Sequence, residues 1–208
     1  MTYLYIDTSS PFLYAGITED NKLLAERKKE LRENLSKDAL YEISEMFNEA
    51  NLSPDSMDKI IVVNGPGSFT GIRIGLTIAK VYAWSKKIPI TAISSLLAMA
   101  ISSDEIKVHV PLLDARRDFV YTAIYDENYN EILKPIHIER EKLIEKLNEI
   151  SNYEIISNDS FEDLNNIKKY DPNILKIVEN TKNKEDINPH AVNPEYLKLT
   201  AAEEKKND

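Results

Sequence analysis

Two aspartates stand where a carboxylate can do chemistry. Asp7 closes the apolar run Tyr3 to Ile6, and Asp114 closes Val108 to Leu113. A carboxylate on a turn after a strand can help hold a phosphate when glycine N–H groups lie beside it. Neither turn supplies them. Thr8-Ser9-Ser10-Pro11 follows Asp7, Ala115-Arg116-Arg117 follows Asp114, and Pro11 has no N–H to give. Both aspartates therefore read as turn-formers rather than catalysts. The rest of the chemical inventory is equally bare. The chain has no cysteine, hence no disulfide, thiol nucleophile or thiolate-held zinc. His109, His137 and His190 form no pair at i, i+3 or i, i+4, so no metal motif is present, and His109 in its apolar strand reads as structural. Ser68, in Gly-Ser-Phe-Thr-Gly, is not at the centre of a nucleophile elbow and has no evident acid–base partner.

Four of the five glycines fall in Asn64-Gly65-Pro66-Gly67-Ser68-Phe69-Thr70-Gly71-Ile72-Arg73-Ile74-Gly75. A strand leading through glycines into a helix is where anions bind. This segment has neither the Gly-Lys-Ser/Thr of a phosphate loop nor a full Gly-x-Gly-x-x-Gly, because Thr70 holds the third place. Its spacing points elsewhere. Gly67, Gly71, Gly75, Ala79 and Ala83 recur every four residues, a stripe of minimal side chains along one helix. Glycine inside a helix costs about 1 kcal/mol relative to alanine, tolerated where another backbone must come close. Apolar residues, among them Ile74, Ile78, Val81 and Tyr82, cover roughly 220° of this helix, against a little over about 100° for a surface helix. The surplus needs a second cover. Either the helix lies between two layers of its own chain, or it is a protein–protein interface with the first helix beside it. The second reading is preferred.

The elements that position these residues follow from periodicity. Tyr3 to Ile6, Phe12 to Thr18 and Leu23 to Lys28 read as strands. Leu35, Ala39, Leu40, Ile43, Phe47 and Ala50 follow helical spacing. Lys59 to Val63 is a short buried strand, and the glycine segment opens a helix reaching Lys86. Ile90 to Ile93 is a strand, after which Ser94 caps a short helix to Ile101. The second half starts again. A shift of 107 residues lays Asp114 to Asn128 over Asp7 to Asn21 with five identities in 15 positions: Asp, Phe, Tyr, Ile and Asn. Then come a strand from Glu131 to Ile138, a helix from Glu139 to Ile150, a strand from Tyr153 to Ser157 and a helix from Phe161 to Lys169. Residues 180 to 193 read as loop, and Glu203 to Asp208 as a charged tail. The expectation is an α/β chain with a duplicated ribonuclease-H-like fold, that of actin and sugar kinases. It has two βββαβα lobes, residues 1–103 and 104–208.

With 208 residues, 42% hydrophobic and 29% charged, the chain can bury a real core. Twenty-six basic against 35 acidic residues give a net charge of −9, which argues against a stand-alone nucleic-acid binder. Ile88 to Ser103, the longest uncharged run, is too short and too polar to span a bilayer. The N-terminus carries no basic segment before an apolar one. A cytoplasmic protein without membrane contact is expected.

Ile6-Asp7-Thr8-Ser9, the segment Asn64 to Leu76, Asp114-Ala-Arg-Arg-Asp-Phe-Val-Tyr121 and Asn193-Pro-Glu-Tyr-Leu-Lys198 together resemble the TsaB (YeaZ) family over nearly the whole chain. The resemblance implies a non-catalytic scaffold in making N6-threonylcarbamoyladenosine beside the anticodon of tRNAs. Its partners would be the catalytic paralogue TsaD, bound through the first two helices, and the ATPase TsaE, with tRNA reached indirectly. TsaD carries a His-x-x-x-His metal motif in the stretch that here reads Ser94 to Ala100, which has no histidine. The expected interface is Gly67, Ser68, Phe69, Thr70, Gly71, Arg73, Ile74, Gly75, Ile78, Val81 and Tyr82, with Leu40 and Phe47 of the first helix. Asp7, Thr8, Asp114 and Arg116 would be remnants of a nucleotide cleft. No cofactor is expected on this chain alone, and ATP or ADP only at the complex interface. A homodimer is expected when the partner is missing. The alternatives are a metal-dependent peptidase and an ATP-binding enzyme of the sugar-kinase kind.

Overall fold

The computed structural model describes residues 1–31 and 34–198. The tail from Glu203 lies outside them. Two five-stranded sheets dominate. The first has β1 (Thr2–Asp7), β2 (Phe12–Glu19), β3 (Lys22–Glu30), β4 (Lys59–Gly65) and β5 (Ile90–Ser94) in the order β3-β2-β1-β4-β5. The second has β6 (Val108–Asp114), β7 (Phe119–Tyr125), β8 (Glu131–Glu139), β9 (Tyr153–Ile156) and β10 (Ile167–Lys168) in the order β10-β9-β6-β7-β8. Read from its third strand, each sheet has the same order, three antiparallel strands followed by two parallel ones. The fold is the duplicated ribonuclease-H-like one. The register corrects one detail. Asp7 pairs with Tyr14, but Asp114 pairs with Val120, so the second hairpin is one residue tighter. Tyr14 and Tyr121 coincide in sequence but not on the ladder.

Helix α1 (Leu35–Glu49) and helix α2 (Phe69–Lys86) cover one face of the first sheet. Ile43, Met46, Phe47, Ile72, Leu76 and Ala79 meet Leu4, Ile6 and Val62 there. Full burial of Ile72 and Leu76 contributes about 1.5–3 kcal/mol each. The opposite face, with Tyr3, Tyr5, Ile61 and Ile93, packs on α3 (Ser95–Ile101) and α5 (Ile174–Thr181). Ala123, Tyr125 and Ile156 of the second sheet reach the same layer. Central β4 is therefore enclosed on both faces, which explains its unbroken apolar run. Ser94 caps α3 by accepting from Leu96 N at 3.2 Å. The far side of the second sheet is covered by α4 (Arg140–Leu147), through Leu143 and Leu147.

The second half departs from expectation at its end. No helix spans Phe161 to Lys169. That stretch forms turns and the two-residue β10, and Asn166 sits at φ 58°. The last helix is instead α5, capped by Asn173, whose Oδ1 accepts from Lys176 N at 3.1 Å. Residues after α5 then return to the first sheet. Lys59, nearly fully buried, donates to Lys182 O at 2.9 Å and Lys184 O at 3.1 Å and pairs with Asp186 at 2.5 Å. Ile187 bridges Ile90, and Val192 is buried in the α1–α2 core. The segment runs on as a strap beside α2. Lys80 donates to Val192 O at 2.7 Å, His190 lies edge-on to Trp84, and Arg73 Nε donates to Tyr196 Oη at 2.9 Å.

Candidate functional site

The glycine stripe has its close neighbour within its own chain. Thr8 Oγ1 donates to Gly71 O at 2.7 Å, and Ser68 N donates to Ser9 O at 2.7 Å. A Cβ on Gly71 would overlap Thr8 O, one on Gly75 would overlap Thr8 Oγ1, and one on Gly67 would overlap Ser9 O. Gly67 also has φ 152°, and Ser68 caps α2 by accepting from Gly71 N at 3.2 Å. The stripe therefore seats the β1–β2 turn. This corrects the expected interface: Gly71 and Gly75 are buried inside the chain and cannot meet a partner. Phe47 is removed for the same reason, since it is buried and packs its ring on Tyr82 at 6.2 Å. Thr8 is likewise not a cleft residue, because it is sealed beneath α2.

Sheet, α1 and strap account for most of the wide apolar arc. What they leave is a narrower outer face. Ile74, Ile78 and Val81 follow one another at i, i+4, i+7; the first two are half-buried and Val81 is 59% exposed. Tyr82 is half-buried beside them, its hydroxyl on Pro54 O. Leu40, two turns before Phe47 on the same side of α1, is 53% exposed. At the start of α2, Phe69, Thr70 and Arg73 are exposed. Arg73 lies 3.8 Å above the Phe69 ring, which stacks on Tyr196 at 5.3 Å. No helix among the described residues is long and apolar enough to cross a membrane.

The two aspartate turns face one cleft of about 900 Å³. Asp7, Ser10, Ser68, Asp114, Arg116 and Asn158 are among its walls. Each aspartate closes its own turn: Asp7 Oδ1 accepts from Ser9 N, and Asp114 Oδ1 from Arg116 N, both at 2.8 Å. Burial pushes the Asp7 carboxyl above its ordinary value of 3.8, opposed by hydrogen bonds to its charged form. Burial also pushes neighbouring Tyr14 up to about 12. For Asp7 the folded state favours the proton more than the unfolded state does. Its contribution is favourable at low pH and is lost as pH rises from 3.8 through the folded value. Asp7→Asn keeps the acceptor for Ser9 N and removes the charge. The variant is expected to melt higher than the parent at pH 7, with the gap narrowing toward pH 3.8. A lower midpoint at pH 7 would contradict this account of Asp7.

Compared with known proteins, the chain matches over residues 27–176 the family model described as TsaD: tRNA N6-adenosine threonylcarbamoyltransferase. It is 32% identical to the tRNA threonylcarbamoyladenosine biosynthesis protein TsaB of Bacillus subtilis (strain 168), covering 99% of this chain and 97% of that one. The chain belongs to the TsaB family. The TsaB of Haemophilus influenzae is 33% identical over 58% of this chain and 52% of its own. In structure, Pseudomonas aeruginosa YeaZ matches with a TM-score of 0.74 at 16% identity, covering 94% of this chain and 99% of that one. A second Pseudomonas aeruginosa structure, of an uncharacterized protein with similarity to peptidase YEAZ, matches with a TM-score of 0.76 at 16% identity, over 95% and 99%.

In this TsaB-family chain the three histidines are held apart in separate aromatic contacts. His109 is fully buried, with Nδ1 2.9 Å from Glu154 Oε1 and its ring stacked on Tyr129. His137 stacks on Phe119, and His190 lies edge-on to Trp84. No histidine lines the cleft. Sequence reasoning named Tyr196 only within the Asn193 to Lys198 motif and missed the strap that brings it to Arg73, which it holds on the surface. The signal was weak, because the polar spacing from 182 to 198 has no period to read.

Proposed function

We propose that this chain is a non-catalytic subunit that binds and activates a TsaD-like threonylcarbamoyltransferase, in forming N6-threonylcarbamoyladenosine at position 37 of tRNAs. One observation carries the reading. After sheet, α1 and strap have taken their shares of α2, Ile74 and Ile78 stay partly open to water and Val81 is exposed, with exposed Leu40 on the adjoining helix. An apolar strip of this kind on a soluble protein marks a binding surface. The TsaB names of the relatives support the pathway, and the match to the TsaD family model supports kinship with the partner. The cleft turns, without glycine, support a role other than catalysis. In this reading any ATP or ADP sits only at the mixed interface, and a TsaE-like ATPase joins the pair. The assembly works in the cytoplasm.

Co-purification with the same organism's TsaD-like subunit tests the pairing. A stoichiometric complex is expected, and a wild-type chain that elutes alone would overturn the reading. Without the partner the same strip should pair with its own copy in a symmetric dimer. Light scattering at rising concentration should give twice the 23.8 kDa chain mass, and a constant monomer mass would remove the dimer.

A further inference from the structure

The β6–β7 turn presents two arginines that nothing among the described residues holds. Arg116 and Arg117 are exposed, and neither guanidinium has a hydrogen bond or ion pair among the described residues. The other described arginines are engaged: Arg27 with Glu42 and Glu49, Arg73 with Tyr196, Arg140 with Asp118 and Asp163. The backbone that displays the pair is unusual. Arg116, Arg117 and Asp118 have φ of 66°, 53° and 63° in succession, a region that side chains with a Cβ disfavour. The turn is held there from both ends. Arg116 N donates to Asp114 Oδ1 at 2.8 Å, Phe119 N to Arg116 O at 3.1 Å, and Arg140 N to Asp118 O at 2.8 Å.

The duplication explains why this turn is bare. By the 107-residue shift Arg116 and Arg117 lie over Ser9 and Ser10; Ser9 is buried and accepts from Ser68 N at the start of α2, while Ser10 is half-buried at the cleft. In the second half β9 leads to β10 through turns instead of a helix, so no equivalent of α2 covers Arg116 and Arg117. Nearby carboxylates are engaged as well. Asp114 and Asp159 accept backbone N–H groups, and Asp118 and Asp163 share Arg140. Next to the turn, Phe119 and His137 stack at 4.7 Å and Tyr121 tilts onto His137 at 5.3 Å, all three half-exposed. Unengaged guanidinium forks beside accessible rings are the chemistry that meets phosphates and bases of a nucleic-acid strand.

We propose that the β6–β7 turn contacts the phosphate backbone of the RNA substrate through Arg116 and Arg117, within the complex of this chain and its catalytic partner. The proposal rests on the function given above. It fits the net charge of −9, since two local contacts add to RNA binding carried mainly by the partner.

The test is tRNA binding by the assembled complex, followed by fluorescence anisotropy from 50 to 200 mM salt. Arg116→Ala/Arg117→Ala should weaken binding about tenfold at the lowest salt and reduce the salt slope by about 1 to 2. Arg116→Lys/Arg117→Lys keeps the charge and should keep the slope. Unchanged affinity and slope in an intact alanine complex would overturn the proposal. So would loss of assembly on gel filtration, which would make the turn a protein contact. A wild-type chain that forms no complex is seen before tRNA is added, and it overturns the underlying function together with this contact.

Discussion

Gly71→Val is expected to destabilise the chain by about 4 kcal/mol, roughly a 10 °C fall in thermal midpoint for a domain of this size. The new Cβ would meet Thr8 O, which is backbone and cannot swing aside. Overpacking of this kind costs about 1–3 kcal/mol or more. Pushing the turn away also breaks the buried bond from Thr8 Oγ1 to Gly71 O, about 1 kcal/mol more. A native stability of about 5–15 kcal/mol leaves little room for such a loss. Urea and thermal melts measure it directly. A midpoint within 2 °C of the parent would mean that the stripe is not seated on Thr8. The stripe alone invites the opposite forecast, lost pairing in an intact fold. The structure reverses it, because the backbone that comes close is the chain's own.

Leu40→Glu combined with Val81→Glu should do what a glycine substitution cannot. Both side chains are more than half exposed, so each change should alter stability by no more than about 0.5 kcal/mol. Glutamate is also a better helix former than valine. In a desolvated interface each new carboxylate would lose its water without gaining a partner. Loss of two central contacts at about 2 kcal/mol each predicts more than a hundredfold weaker binding to the TsaD-like subunit. Titration calorimetry with an unchanged melting curve is the expected pair of results. Undiminished binding would move the interface off this face.

Much of the first half is legible because its signals are local. Strands β1 to β5 and helices α1 to α3 fall within two residues of the expected bounds. Ser94 announces its helix by capping. The second half is harder. Phe161 and Leu164 look like the start of an amphipathic helix, but Asn165-Asn166 follows and Asn166 takes a left-handed conformation that ends it. Ile174, Ile177, Val178 and Thr181 do carry helical spacing after a capping Asn173, over only eight residues set among polar neighbours. The candidate site was half legible. The over-wide apolar arc of α2 is a true feature, but arc width cannot say which cover is the chain's own. Strap and turn, brought in from residues 182–198 and from Thr8, take much of it. Only three-dimensional contact separates Gly71 and Gly75 from Ile78 and Val81.

The most direct measurement is threonylcarbamoylation of tRNA by the reconstituted TsaD-like subunit, with this chain absent, wild type, or carrying Asp7→Asn/Asp114→Asn. The account predicts activity that requires the chain and is indifferent to the two cleft aspartates. Full activity without the chain, or its loss when the aspartates alone are changed in an assembled complex, would contradict a non-catalytic activating subunit.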